Sequence, residues 1–350
     1  MAKKEIPIFF ATNDNYVPCL SVALASMLKN ASKDFKYSVY VLTTGLKSEN
    51  QEKLNSIFQK SENENLATLE FVNVSEQLEK MSDMLCMRDY YSRETYYRFF
   101  IARLFPQYDK VLYLDCDIAI NGDISELFNL ELGNNLLGAA SDDVIPGVPA
   151  FVDYVEKALG VNRYKYFNAG ILVINTKLFR EENIENQFVD LLKKISFIVA
   201  QDQDYLNVIC QDRIKYFDNE WNKGAFKTPE FENKLPKLIH YKMNWKPWHF
   251  YQVDWKDEFW DYAQLTPFYH DLKEQLLDYT DEQRNADLAA GEKLIALCMA
   301  EVINPKNYMC LKTLENANKK VHNIFDYIFS IFGNFVNFLR ESYKNIKVRV

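Results

Sequence analysis

The sequence predicts an α/β fold with a mostly parallel, mixed sheet, followed by a helical C-terminal extension. Three observations carry this. Short apolar or β-branched runs alternate with helix-spaced segments from residue 6 onward, an order that implies parallel strands joined by right-handed crossovers. Apolar runs end directly in polar residues, as at Ala11-Thr12-Asn13-Asp14 and Leu114-Asp115-Cys116-Asp117. Beyond residue 265 the strand pattern gives way to helices.

The elements follow in order. Ile6–Ala11 is a buried strand ending in a polar loop, and Val17–Lys29 carries Leu20, Ala23, Leu24, Met27 and Leu28 at helical spacing. Tyr37–Thr43 alternates and is rich in β-branched and aromatic residues, which makes it a second strand. Lys47–Lys60 is helical, with Leu54, Ile57 and Phe58 on one face, and Thr68–Val72 is a third strand. Glu94–Leu104 reads as a helix dense in aromatics, closed by Pro106. Val111–Leu114 is a short apolar strand running into Asp115. Leu136–Ala140, Gly170–Asn175 and residues 213–217 are further strands, with helices over Ile184–Ser196 and Gln201–Cys210. Residues 219–260 read as loop and hold all five tryptophans.

Composition excludes several classes. Of 350 residues 48% are hydrophobic and 15% aromatic, so the chain can build a real core and is not a disordered polymer. A net charge of −8 argues against non-specific nucleic-acid binding, and no nucleic-acid partner is expected. The six cysteines form no CxxC pair, which fits a reducing cytoplasm better than a disulfide framework or zinc knuckle. The N-terminal stretch has no apolar core followed by a small-residue cleavage site, so no signal peptide is expected. No uninterrupted apolar run approaches the ~18 residues of a spanning helix.

Asp115 and Asp117 stand two positions apart at a strand end, where both can reach one cation if the backbone turns. Ligands of open α/β sheets bind outside the carboxyl ends of the strands. A phosphate-bearing ligand would be repelled by this pair unless a divalent ion bridged them, and oxygen ligands favour Mg2+ or Mn2+. Asp-x-Asp alone is also what a solvated turn looks like. The preceding Lys-Val-Leu-Tyr-Leu run favours the site over the turn.

The stretch Tyr108-Asp109-Lys110-Val111-Leu112-Tyr113-Leu114-Asp115-Cys116-Asp117 resembles the signature of the retaining glycosyltransferases of family 8, which include glycogenin and bacterial lipopolysaccharide glucosyl- and galactosyltransferases. Phe10 to Tyr16 resembles the family's first nucleotide-binding loop, and Thr95-Tyr96-Tyr97-Arg98 its donor-contacting arginine. Phe167-Asn168-Ala169-Gly170 and Gln201-Asp202-Gln203-Asp204 resemble the sugar-binding motifs. His240-Tyr241 with Lys246-Pro247-Trp248 resembles the C-terminal metal and phosphate motif. The likeness covers residues 6–250.

It implies a single Rossmann-like nucleotide-diphospho-sugar transferase domain of GT-A type over residues 1–265, with residues 266–350 as the helical extension. His240 becomes the third metal ligand beside Asp115 and Asp117, a set suited to Mn2+ or Mg2+. Lys246 would reach the diphosphate and stabilise the departing nucleotide. Ala11, Asn13, Asn15 and Tyr16 would meet the uridine, and Arg98 would clamp phosphate or hydroxyl groups. Cys116 and Ala169 belong to the donor-binding motifs, Cys116 as a spacer pointing into the core. Asn168, Asp202 and Gln203 would read the sugar, with Gln203 beside the anomeric carbon. Each residue also has a plain structural reading, from helix cap for Asn13 to surface ion pair for Arg98.

The expected activity is metal-dependent, retaining transfer of glucose or galactose from a UDP-sugar to a hydroxyl of a glycan or glycolipid, as in lipopolysaccharide or cell-surface glycan biosynthesis. The alternatives are a nucleotide-sugar-binding protein without transfer activity and a UDP-sugar hydrolase. Retention by double displacement needs a nucleophile such as a carboxylate. Gln203 is a poor one, which favours attack from the face the diphosphate leaves. In the tail, residues 306–350 carry 8 Lys+Arg against 3 Asp+Glu, and Asn323–Arg340 is amphipathic. Two roles are open to it: packing on the catalytic domain or a second subunit, and peripheral contact with the inner membrane face.

Overall fold

A computed structural model describes residues 3–60, 66–79, 85, 93–320 and 324. Its main sheet contains β1 (Lys4–Ala11), β2 (Phe35–Thr43), β3 (Ala67–Asn73), β4 (Val111–Leu114), β6 (Leu137–Ser141), β7 (Phe167–Ile174) and β8 (Ile214–Tyr216). A second, small sheet holds β5 (Ile118–Ile120), β9 (Lys223–Gly224) and β10 (Leu238–His240). The seven strands lie in the order β3-β2-β1-β4-β7-β6-β8, and β7 alone runs against the others. The sheet is therefore mixed and mostly parallel.

Residue alternation divides the core into two layers. Phe9 and Ala11 of β1 join Val111 and Tyr113 of β4 on one face, whereas Ile8 and Phe10 join Leu112 and Leu114 on the other. The period of two along each strand makes this inevitable once Ile8 pairs with Leu112 and Phe9 with Tyr113. Helix Val17–Asn30 covers the second face, while helix Ile184–Lys194 buries Ile184, Phe188 and Leu192 against the first. Phe188 stacks on Phe99 at 3.9 Å and 9°, and burying such a ring is worth about 2–3 kcal/mol.

The segment expected as one helix over 94–104 is a 3-10 helix, Arg93–Phe100, followed by an α-turn, Ile101–Leu104. Three residues per turn place Tyr96 above Phe99 and Tyr97 above Phe100, so both aromatic stripes are buried. The region read as loop over 219–260 contains β9 and β10, each too short to show a period.

The helical extension is built into the body. Helix Tyr269–Asp278 buries Leu272 and Leu276 with Tyr241, Trp248 and Phe259. Helix Asp281–Ile303 opens with a reciprocal Thr280–Gln283 capping box and sends Leu294 and Cys298 into the larger core. Among the described residues no helix is long and apolar enough to cross a membrane. The amphipathic segment 323–340 lies outside the described residues except for Ile324.

Candidate active site

Strand order reverses around β1, whose neighbours β2 and β4 are both parallel to it, and a crevice opens outside their carboxyl ends. Ala11, Thr12, Asn13 and Tyr16 leave β1 into this crevice, and Asp115, Cys116 and Asp117 leave β4 beside them. β7 runs the opposite way and so brings its first residues, Asn168, Ala169 and Gly170, to the same edge.

Pairing of β5 with β10 fixes the next contact. His240 lies opposite Ile118, and the Tyr241 N–H donates to the Asp117 carbonyl at 2.9 Å. His240 Nε2 consequently sits 3.2 Å from Asp117 Oδ1 and 3.8 Å from Asp115 Oδ2. One ligand atom each from Asp115, Asp117 and His240 lies within 4.8 Å of the others. His240 Nδ1 is 2.9 Å from Asn222 Oδ1, an acceptor, so Nδ1 donates there and Nε2 is the ring nitrogen that faces the carboxylates. Two carboxylates and an imidazole nitrogen so arranged fit a divalent cation of the Mn2+ or Mg2+ type. A Cβ at Gly170 would collide with the His240 ring and Asp115 Oδ2, so only glycine lets β7 pass behind them.

Two cations flank this cluster. Lys246, buried, donates from Nζ to Asp117 Oδ2 and to the Tyr241 carbonyl. Burial opposes ionisation of Asp117, but Lys246 and His240 outweigh it and hold the carboxyl well below its usual range. Arg98, also buried, donates to Asp115 Oδ1 at 3.1 Å, to the Ala169 carbonyl and to the Thr95 carbonyl. Its guanidinium lies 4.2 Å from the centre of the Tyr113 ring and 3.2 Å from Asp202 Oδ2.

Asp202 and Gln203 begin a helix, Asp202–Ile209, behind Gln201, which is buried at φ 49° and ψ −119°. That uncommon backbone turns both following side chains into the crevice. Burial pushes Asp202 up to about 6 although Arg98 pulls it down. Gln203 Oε1 accepts from Asn168 Nδ2 at 3.1 Å and from the Ala169 N–H at 2.9 Å, while its Nε2 donates to the Tyr166 hydroxyl at 3.2 Å. Tyr166 and Tyr154 both donate to Asp204, whose carboxyl burial also raises to about 6.

Of the residues singled out from sequence, all but Asn15 line the crevice. Asn15 is exposed, and its N–H donates to Asn13 Oδ1, the capping role. Cys116 is buried, with its thiol pushed up by burial and donating to the Ala11 carbonyl at 3.2 Å.

Four partners escaped sequence reading. Asn222 orients His240 and donates to Asn168 Oδ1 at 3.0 Å. Asp142 accepts from Asn168 Nδ2 at 3.3 Å, and Lys242 pairs with Asp142 at 3.4 Å and Asp143 at 2.6 Å. Tyr166 holds Gln203. For Asn222 and Lys242 the one sequence signal is the aromatic density of residues 219–260, a sign of packed rather than solvated loop.

The family model described as Glycosyl transferase family 8 matches residues 7–252. A Haemophilus influenzae protein with a provisional glycosyltransferase name is 30% identical over 220 residues, covering 61% of this chain and 62% of the relative. The lipopolysaccharide 1,3-galactosyltransferase of Salmonella typhimurium is 28% identical over 255 residues, 69% of this chain and 72% of the relative. Among solved structures, the apo bifunctional glycosyltransferase WbbM matches with a TM-score of 0.69 at 27% identity, covering 79% of this chain and 53% of that one. The galactosyltransferase LgtC, solved with donor and acceptor sugar analogues, matches with a TM-score of 0.60 at 26% identity, covering 75% and 96%. The chain thus spans less than two thirds of the Haemophilus relative and of WbbM.

Proposed function

Because the chain belongs to glycosyl transferase family 8, we propose that it moves a hexose, glucose or galactose, from a UDP-sugar to a hydroxyl of a glycan or glycolipid, with retention and with a divalent metal. The observation that carries this reading is the convergence of Asp115, Asp117 and His240 at the β1/β4 crevice, with Lys246 on Asp117 and Arg98 on Asp115. The names of the Salmonella galactosyltransferase and of LgtC support a hexose donor. Mn2+ or Mg2+ would be held by Asp115, Asp117 and His240, and when bound would offset the charge of the diphosphate.

The chain's own groups have distinct tasks. Ala11, Asn13 and Tyr16 form the nucleoside end of the crevice, with Tyr16 propped edge-on against Trp248 at 6.5 Å. Lys246 is in reach of the same edge and would hold negative charge on the departing diphosphate. Asn168, Asp202 and Gln203 offer acceptors and donors to the sugar hydroxyls, groups that are costly to bury unpaired.

Asp202 faces Arg98 at 3.2 Å with its carboxyl raised by burial to about 6, and Gln203 is an amide whose oxygen is engaged by two N–H donors, so neither is a strong nucleophile. That supports attack by the acceptor hydroxyl from the face the diphosphate leaves, its proton passing to a phosphate oxygen. In the Gln203→Ala variant no covalent sugar adduct should form on Asp202, and an adduct trapped there would overturn this route. Incubation with UDP-glucose and UDP-galactose, with Mn2+ and without acceptor, should release UDP from one of them. Full turnover in chelator would refute the metal assignment. Turnover that acceptors leave unchanged would make the protein a hydrolase.

A further inference from the structure

We propose that Asp287 and Arg284, at the start of helix Asp281–Ile303, are positioning residues for Lys246, so that the extension beyond the family match completes the catalytic site. This rests on the reading of Lys246 as the diphosphate-binding cation.

Lys246 lies on an irregular loop between β10 and helix Lys256–Ala263. The loop passes through positive φ at Met243 (61°) and Trp255 (54°) and follows no regular element, while its Trp248 and Phe250 pack into the small core. Its own backbone bonds are short-range: Lys246 N–H to the Asn244 carbonyl, and the N–H groups of His249 and Phe250 to the Lys246 carbonyl. Helix Asp281–Ile303 grips both sides of this turn. Asn244, two residues before the lysine, donates from Nδ2 to the Asp287 carbonyl at 3.1 Å. Three residues after it, the His249 carbonyl accepts from Arg284 Nε at 2.8 Å.

The His249 side chain is fixed as well. Its Nδ1–H donates to Asp287 Oδ2 at 3.2 Å, its Nε2 accepts from Gln275 Nε2 at 3.4 Å, and its ring stacks on Tyr279 at 3.8 Å and 9°. Tyr279 in turn donates to the same Asp287 oxygen at 2.9 Å, and Arg284 also donates to the Leu276 carbonyl at 3.1 Å. One carboxylate therefore ties together the loop, helix Tyr269–Asp278 and the long helix.

Register along the long helix explains why it can reach the site. Asp287, Leu294 and Cys298 are seven and four residues apart, which places them along one face. Leu294 and Cys298 line the crevice that holds Asp117 and Lys246. The family match stops at residue 252, so Lys246 with the turn over 242–250 lies inside it and the helix that braces them lies outside. An ammonium meant to meet charge developing on a leaving group gains from being held in advance, and a misplacement of about 1 Å can cost two orders of magnitude.

The test uses the full chain, UDP with Mn2+ as the probe, and hydrogen exchange as a readout that needs no ligand. Asp287→Ala should speed amide exchange across 242–250 while leaving β4 unchanged, and should weaken UDP binding about tenfold. Asp287→Asn, which still accepts from Tyr279 and His249, should restore most of both. In a Lys246→Met background Asp287→Ala should cause no further loss of UDP affinity, because the two act on one interaction. Glu292→Ala, exposed on the same helix, is the control that should change nothing. Should Asp287→Ala fail to fold, Tyr279→Phe removes one bond to the same carboxylate and should show the same pattern at about threefold. Losses that add in the double variant, or unchanged exchange over 242–250, would overturn the inference. Absence of UDP binding by the parent protein would instead sink the donor reading, and the exchange result would still decide whether the helix holds the loop.

Discussion

Asp117 and Asp202 are both buried aspartates at the edge of one sheet, yet their surroundings drive them in opposite directions. Asp117 has Lys246 and His240 against it and is held ionised well below the usual carboxylate range. Asp202 has Arg98 alone, which is also shared with Asp115, and its carboxyl rises to about 6. Burial costs each of them, so the neighbours that stabilise the carboxylate decide the outcome. The wall where Lys246 and His240 hold Asp117 ionised suits a cation-linked diphosphate. The wall with a single shared arginine suits neutral sugar hydroxyls. Asp204, on the second wall, goes further: among the described residues it pairs with no cation, it accepts from two tyrosine hydroxyls and the Ala200 N–H, and it serves as a post behind Gln203.

Changes on the first wall should have the largest effects. Asp117→Asn leaves Lys246 and His240 without their shared anion and should reduce UDP-sugar turnover to the level seen in chelator, measured as UDP release. Lys246→Ala should follow, with kcat down about 10²-fold while metal affinity, read by Mn2+ titration, changes little. Asn222→Leu removes the acceptor that fixes the His240 ring and should weaken Mn2+ binding about 10-fold to 100-fold. If Asn222→Leu cost nothing, His240 would not be a ligand held in one tautomer.

The effect of the second wall should appear in stability rather than in turnover. The folded-state carboxyl of Asp204 is raised to about 6, above the value of about 3.9 for an unfolded chain. The native state then binds the proton more tightly, so this contribution is full below about pH 4 and is lost as pH rises through 6. The loss amounts to at most about 3 kcal/mol. The Tm of Asp204→Asn relative to the parent should therefore climb in the variant's favour between pH 4 and pH 6.5. A flat difference would mean Asp204 ionises as freely in the fold as outside it.

The first wall was the more legible in sequence. An apolar strand running into Asp115 and Asp117 announces a sheet-edge carboxylate pair, and the continuous apolar runs of β1 and β4 mark them as strands buried on both faces. His240 and Lys246 needed the family likeness, because a lone His or Lys says nothing of its neighbours. Asn222, Asp142, Lys242 and Tyr166 were illegible for a physical reason. Lys242 finds Asp142 across 100 residues, and Asn222 meets His240 only because β9 and β10 lie side by side in a region with no periodic signal. β5 is three residues long and offered no pattern either. The 3-10 winding under Arg98 was hidden because its aromatics suit either helix type.

Asp115, Asp117 and His240 are proposed to form one cation site that carries the nucleotide. Calorimetric titration of UDP into the protein, with Mn2+ and then with excess chelator, tests that most directly. Binding with Mn2+ that disappears in chelator, and that is absent in Asp117→Asn under both conditions, is the predicted result. UDP binding of equal strength with and without the metal would contradict it.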